Sequence, residues 1–362
     1  MLHRSLARRE VFPCCLLLGN VLVVSCGAPV LDEPGVMDAG RAPIISGTPT
    51  GADEYPAVAS VLGTGTYQDS SSFARLLCTA TLITPGVLLC AAHCLDPDVI
   101  ANVATMTHFV SFSADVSAFS TASPSLPADT IEVRGVVSHP EFSLADMLNG
   151  VSGLGQNYDI GLILLQEPAT DRPTAFVLGP NDGARIAMGA AVNIVGYGAS
   201  ENASRCDATA GCGIKRKAAS SVHELATYEM QIGGVDPDPR KCHGDSGGPT
   251  FMTVNDGASP AERIIGVTSH SYDAAGCTQG AVDTRVDAYR EWINAAMVAA
   301  CQSNDRVDCE GGGALPEPTW SDAPSDDSGN GGCSCRAQSV GAELVLVGIL
   351  LFAIALRRRH SA

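Results

Sequence analysis

A serine hydroxyl attacks an acyl group at neutral pH only if an imidazole takes its proton. The imidazole in turn needs a carboxylate to fix its tautomer and stabilise its cation. This chain carries each of these groups inside a distinctive local sequence. Ser246 lies in Cys242-His243-Gly244-Asp245-Ser246-Gly247-Gly248-Pro249, His93 in Ala91-Ala92-His93-Cys94, and Asp159 in Asn157-Tyr158-Asp159-Ile160-Gly161-Leu162. Alone, each segment has a bland reading: a glycine-rich turn, a structural histidine beside a cysteine, a solvated turn aspartate. Together, in a domain-sized stretch, they point to acyl transfer through a covalent intermediate. Ser246 would attack, His93 would act as base and then acid, and Asp159 would orient it. The apolar run Ile160, Leu162, Leu164 and Leu165 would bury that carboxylate.

The order His, Asp, Ser distinguishes this arrangement from other folds that carry the same groups. On these three segments the chain resembles the chymotrypsin/trypsin family of serine peptidases, the system from which the general triad rules were drawn. The resemblance implies an all-β fold of two six-stranded antiparallel β-barrels, with the active site in the cleft between them and a helix at the C-terminal end. It assigns the oxyanion hole to the N–H groups of Gly244 and Ser246, where glycine lets the backbone turn sharply and a carbonyl approach. It places Ser269, in Val267-Thr268-Ser269-His270, under Asp159. It pairs Cys78 with Cys94 and Cys242 with Cys277, and makes Cys90 a buried free thiol.

Two places depart from the family pattern. Ile44-Ile45-Ser46-Gly47 matches the family's activated start, whose free amine pairs with Asp245, yet Pro43 precedes it and Arg41 lies further back. The protease that would make this cut is therefore left open. The expected substrate pocket comprises Arg240, Ser269, Ser271 and Asp283, with Arg240 on its floor. Either Asp283 neutralises Arg240 and the pocket takes small or apolar residues, or an acidic substrate side chain does so, or Arg240 points to solvent.

The chain has 362 residues, 14 of them cysteine, which suits an oxidising compartment. Cys206 with Cys212, and Cys301 with Cys309, are near enough in sequence to close short loops. No cysteine pair has zinc spacing, so no metal is expected, and no phosphate loop or other cofactor motif appears. A net charge of -17 argues against nucleic acid as a partner. The partners expected are protein or peptide substrates and, through the chain ends, a membrane.

Composition divides the chain into five parts. Residues 1–25 read as a secretory signal, with Arg4, Arg8 and Arg9 before an apolar run from Val11 to Val24. Val23-Val24-Ser25-Cys26 resembles a bacterial lipobox, which would lipidate Cys26; ordinary cleavage nearby is the alternative. Residues 26–43 form a short propeptide or linker, and 44–298 the peptidase domain. Residues 299–338 are an acidic Gly/Pro/Ser linker carrying Cys333-Ser334-Cys335. In residues 339–362 an apolar segment from Val340 to Leu356 precedes Arg357-Arg358-Arg359. The motif, span and arginines resemble the myxobacterial MYXO-CTERM sorting signal, with a permanent anchor as the alternative. Export to the envelope or cell surface follows from either.

Within the domain, short Val/Ile/Thr-rich runs predict strands at 57–61, 76–83, 87–92, 130–137, 160–165, 191–197, 264–269 and 282–286. Asp287 to Ala300 predicts one helix, with Tyr289, Trp292, Ile293 and Met297 at helical spacing. The functional expectation is a surface-delivered serine endopeptidase. The alternative is a catalytically silent module that uses the same fold for binding.

Overall fold

Two stretches of the chain carry unbroken apolar runs, and they become the most buried strands. β4 (Val87–Cys90) and β7 (Gly161–Leu165) are buried at every position, so they show no alternation of faces. They belong to a first closed barrel with β2 (Val58–Tyr67), β3 (Ser72–Thr84), β5 (Val103–Ser111) and β6 (Ile131–Ser138), in the order β2-β3-β4-β7-β6-β5. A second barrel is built from β8 (Ala191–Gly196), β9 (Arg216–Leu225), β10 (Glu229–Ile232), β11 (Pro249–Asn255), β12 (Pro260–Asp273) and β13 (Gly276–Arg285). It runs β9-β10-β13-β12-β11-β8 and closes through the pairing of β8 with β9. All these pairings are antiparallel, and a short β1 (Thr48–Pro49) adds to β9. The architecture is thus two closed six-stranded antiparallel barrels, followed by a helix. The computed structural model describes residues 44–51, 53–179, 181–202, 205–255, 260–273 and 276–316. Expectations for Cys26, Arg41, Pro43, Cys333 and the segment from Val340 to Leu356 lie outside the described residues.

Register is what assembles the site. Antiparallel pairing of Val87 with Leu164 and Cys90 with Gly161 sets the end of β4 against the start of β7. His93, three residues past Cys90, thereby meets Asp159, two residues before Gly161. The Asp159 segment is braced from behind by rings. Tyr158 stacks on His139 at 4.9 Å between centroids, and His139 contacts Trp292 at 5.0 Å. In the second barrel, Pro249 pairs with Val267, which lays the chain after Ser246 along β12. The barrels are joined at the same place, since Thr79 on β3 donates its N–H to the Ser246 carbonyl at 2.8 Å.

The sequence missed β5, β9, β10 and β11, and for β9 the reason is visible in its burial. β9 exposes or half-exposes most of its residues, and Val222 is its one fully buried large apolar side chain. No strand-like apolar alternation marks it.

The helix begins later than predicted. Tyr289 sits at its N-cap with φ -111°, and α2 is the second helix, Arg290–Gln302, after the short α1 (Leu144–Leu148). The domain also does not end at 298. Cys301 is bonded to Cys309. Arg306 is buried and donates to the Gly313 carbonyl, to Thr84 Oγ1 and to Asp308. Leu315 is buried, its N–H on Asn294 Oδ1 at 2.9 Å. The polar composition after 299 suggested a linker, but one buried arginine and one disulfide fold its first part onto the first barrel. Among the described residues no helix is long and apolar enough to cross a membrane.

Candidate active site

Asp159 is completely buried, and three donors converge on its carboxylate. His93 N–H donates to Oδ1 at 2.8 Å, the His93 ring Nδ1 lies 2.8 Å from Oδ2, and Ser269 Oγ donates to Oδ2 at 2.6 Å. Thr284 Oγ1 holds the Asp159 carbonyl at 2.9 Å. A carboxylate only accepts, so Nδ1 carries the proton and Nε2 keeps its lone pair. Cys94 Sγ lies 3.6 Å from Nε2, but that sulfur is already in a disulfide and has no proton to offer. Burial works against charge on Asp159, yet the His93 charge and these hydrogen bonds outweigh it and hold the carboxyl below its usual range. Burial likewise opposes protonation of His93, but the Asp159 charge and hydrogen bond raise its pKa above the ordinary imidazole value.

Ser246 and His93 line one cavity of about 210 Å³, together with His243, Ser269, His270 and Ser271. No direct hydrogen bond joins Ser246 Oγ to His93 here; such bonds characteristically tighten when substrate is bound. The loop before Ser246 is held by its carbonyls. The His243 carbonyl accepts from Ala199 N–H at 2.8 Å, the Gly244 carbonyl from Thr79 Oγ1 at 2.9 Å, and the Ser246 carbonyl from Thr79 N–H at 2.8 Å. In a trans peptide the N–H points opposite to the carbonyl, so the Gly244 N–H turns away from Ala199. Among the described residues, neither the Gly244 nor the Ser246 N–H donates to another protein group. Gly244 adopts φ +94°, and a Cβ there would lie 2.4 Å from Cys206 Sγ. At Gly247, φ +78°, a Cβ would lie 2.3 Å from the Thr79 carbonyl oxygen. Glycine is required at both positions by the hand of the turn and by space.

The pocket corrects the reading of Arg240. Arg240 does not line the cavity. Its guanidinium donates to the carbonyls of Cys277 and Asp238 and pairs with Asp236. Asp283 meets Lys241 instead, whose Nζ donates to both carboxylate oxygens at 3.0 and 2.8 Å and to Thr250 Oγ1 at 2.7 Å. Both side chains of this pair are fully buried. Lys241 and Ala281 close the cavity beside Thr268, and among the described residues no Asp or Glu lines it.

Asp245 is also fully buried, accepting from Cys242 N–H at 2.9 Å and Gly198 N–H at 2.8 Å. Burial pushes its pKa up to about 6, against the pull of those N–H groups and of Lys241 and Arg216. Ile44 is buried, and Ile45 exchanges both backbone hydrogen bonds with Arg240, at 2.9 and 3.2 Å. Disulfides join Cys78 to Cys94, Cys206 to Cys212 and Cys242 to Cys277. They brace the His93 turn, the loop beside Gly244, and the segment that carries Ser246. Cys90 is a buried free thiol whose Sγ contacts the Thr79 carbonyl at 3.4 Å; burial raises its pKa strongly.

Three participants were not assigned from the sequence: Thr79, Thr284 and His270. Thr79 follows Cys78, and that position beside a pairing cysteine was the one available signal. Thr284 and His270 depend on cross-strand geometry that no local pattern announces.

Comparison with known proteins agrees with this geometry. A family model described as Trypsin matches residues 44–293. The chain is 25% identical over 270 residues to chymotrypsin-like elastase family member 1 of Macaca fascicularis, covering 72% of this chain and 91% of that protein. It is 28% identical to a trypsin of Saccharopolyspora erythraea, covering 61% and 88%, and 27% identical to phenoloxidase-activating factor 3 of Holotrichia diomphalia, covering 81% and 82%. Since the matched segment spans most of the chain and both barrels, the chain belongs to the trypsin family.

Proposed function

We propose that this protein is an exported serine endopeptidase that works through an acyl-enzyme. The observation that carries the reading is the pairing of His93 Nδ1 with buried Asp159, with Ser246 lining the same cavity as His93 and the Gly244 and Ser246 N–H groups donating to no described protein group. His93 Nε2 takes the Ser246 proton as Oγ attacks the scissile carbonyl, and the Gly244 and Ser246 N–H groups receive the developing oxyanion. His93 then protonates the leaving amine, and water repeats the sequence to free the acid.

The same cavity supports cleavage after small, uncharged residues. Among the described residues no carboxylate lines it to meet a lysine or arginine, and both nearby cations are already paired, Lys241 by Asp283 and Arg240 by Asp236. Activation is read as a cut before Ile44, whose new ammonium would meet Asp245. The disulfides suit export, and Cys26 lipidation or a C-terminal sorting tail remains the anchoring proposal.

Fluorophosphonate labelling and peptide-library turnover of the chain beginning at Ile44 test this together. Labelling and turnover are expected, and Ser246→Ala should remove both, a loss of about 10⁶ in turnover. An unlabelled, folded wild-type chain would favour the silent binding module.

A further inference from the structure

His270 has no part in the mechanism above, yet hydrogen bonds join it to the catalytic carboxylate. On β12, Thr268 pairs with Asp283 and His270 with Val282, which leaves Ser269 as an extra, bulged residue. A bulge interrupts the alternation of faces and re-aims side chains. Ser269 and His270, neighbours that would otherwise diverge, are thereby brought into contact. Ser269 Oγ lies 2.6 Å from Asp159 Oδ2 and 3.0 Å from His270 Nδ1, and His270 Nε2 lies 3.2 Å from the Gly153 carbonyl oxygen.

The protons along this chain can be counted. Ser269 has one hydroxyl proton, and the Asp159 carboxylate can only accept it. Toward His270 the same oxygen is then an acceptor, so Nδ1 must carry a proton. The Gly153 carbonyl is also an acceptor only, so Nε2 must carry one too. Both contacts are satisfied together only by the imidazolium; a neutral ring satisfies one. The contact matters beyond the ring itself, because Gly153 opens the segment that leads to Asp159. That segment is tied to β12 by Gly153 N–H on the Tyr272 carbonyl at 2.9 Å, and to β10 by Glu229, which accepts from Gly155 N–H at 2.6 Å and Asn157 N–H at 3.1 Å.

We propose that His270, in its doubly protonated form, is a positioning residue for Asp159: it holds the Ser269 hydroxyl on the carboxylate and clamps the Gly153 turn. The readout in turnover rests on the peptidase reading given above. The groups that face this histidine are few. Asp159 and His93 lie beyond Ser269, Lys241 and His243 share the cavity, Glu229 lies behind the Gly155 and Asn157 backbone, and Glu224 on β9 accepts from Tyr272 OH. Lys241 is occupied by Asp283. Among the described residues, Asp159 is the one carboxylate joined to His270 through a hydrogen-bonded side chain. The positive ring beside it weakens the hold of Asp159 on the His93 proton.

Two measurements test the assignment, one of which needs no activity. Nitrogen-15 NMR of histidine-labelled Ser246→Ala protein should show both His270 ring nitrogens protonated and hydrogen-bonded. One bare ring nitrogen there would overturn the proposal, whatever the protein's function. In the active chain, His270→Phe should lower kcat about tenfold and move the acid limb of kcat/KM upward by about half a pH unit. His270→Gln, which keeps a neutral amide donor, should recover part of kcat but not the position of the limb. A limb unmoved in both variants, with kcat within twofold of wild type, would also overturn it. Absence of turnover or labelling in the wild type would instead sink the peptidase reading, and the NMR result would still decide the role of His270.

Discussion

Asp159 and Asp245 are both fully buried, and each accepts hydrogen bonds from backbone N–H groups. Their acidities move in opposite directions. Asp159 also meets a histidine ring and a serine hydroxyl, and its carboxyl is held below the usual range. Asp245 meets N–H groups alone at hydrogen-bond distance, and burial pushes its pKa up to about 6. Neutral donors soften the loss of water but do not cancel it; a group that can become cationic does. One carboxylate is met by a histidine ring, while the other is met by backbone N–H groups alone. Asp283 is a third case, met by Lys241.

The sharpest way to break this contrast is at Asp159. Asp159→Asn keeps the shape of the side chain but lets Nδ1 accept, which favours the wrong His93 tautomer. Turnover should fall by about 10⁴ with the fold intact, the size of effect known for this exchange in the family's template system. Circular dichroism alongside single-turnover kinetics checks both halves, and near-normal turnover would remove Asp159 from the mechanism.

Next in size is Lys241→Met, which strands the Asp283 charge in the interior. A loss of about 3–5 kcal/mol is expected in urea unfolding. Adding Asp283→Asn should return a large part of it, because the stranded charge is then gone. If the single variant is as stable as wild type, Lys241 is not what compensates Asp283.

Asp245 supplies the smallest effect and the one with a distinctive pH signature. An acid whose folded pKa is raised binds protons better folded than unfolded. The uncut chain should therefore lose stability as pH rises from about 4, the ordinary unfolded value, through about 6. A shift of about two units corresponds to about 3 kcal/mol. Asp245→Asn should flatten that slope in the uncut chain and raise its stability at pH 7, while abolishing activity in the chain that begins at Ile44. Thermal midpoints of the two chains across pH 4 to 7 give the comparison, and identical slopes would mean that Ile44 supplies no charge to Asp245.

Much of the site could be read locally. Ser246, His93 and Asp159 each sit in a short segment whose neighbours do mechanical work within a few residues: glycines that permit positive φ, a cysteine that braces a turn, an apolar strand that buries a carboxylate. The strands β4 and β7, which were found, carry dense apolar runs; β9, which was missed, has one buried large apolar side chain to show. The pocket could not be read the same way. Arg240 and Lys241 are adjacent and equally basic, and nothing in their order says which one faces Asp283.

The sequence by itself determined which side chains could do the chemistry, the all-β class and the cysteines near enough to close short loops, because these follow from residue type, local periodicity and spacing. Tertiary structure alone decided that Lys241 rather than Arg240 meets Asp283, that Arg306 and Leu315 carry the domain past residue 298, and that a bulge sets His270 against Ser269. Each of those depends on strand register or on burial between residues far apart in the chain. A one-residue change in register exchanges every partner on a strand, and no local pattern specifies it.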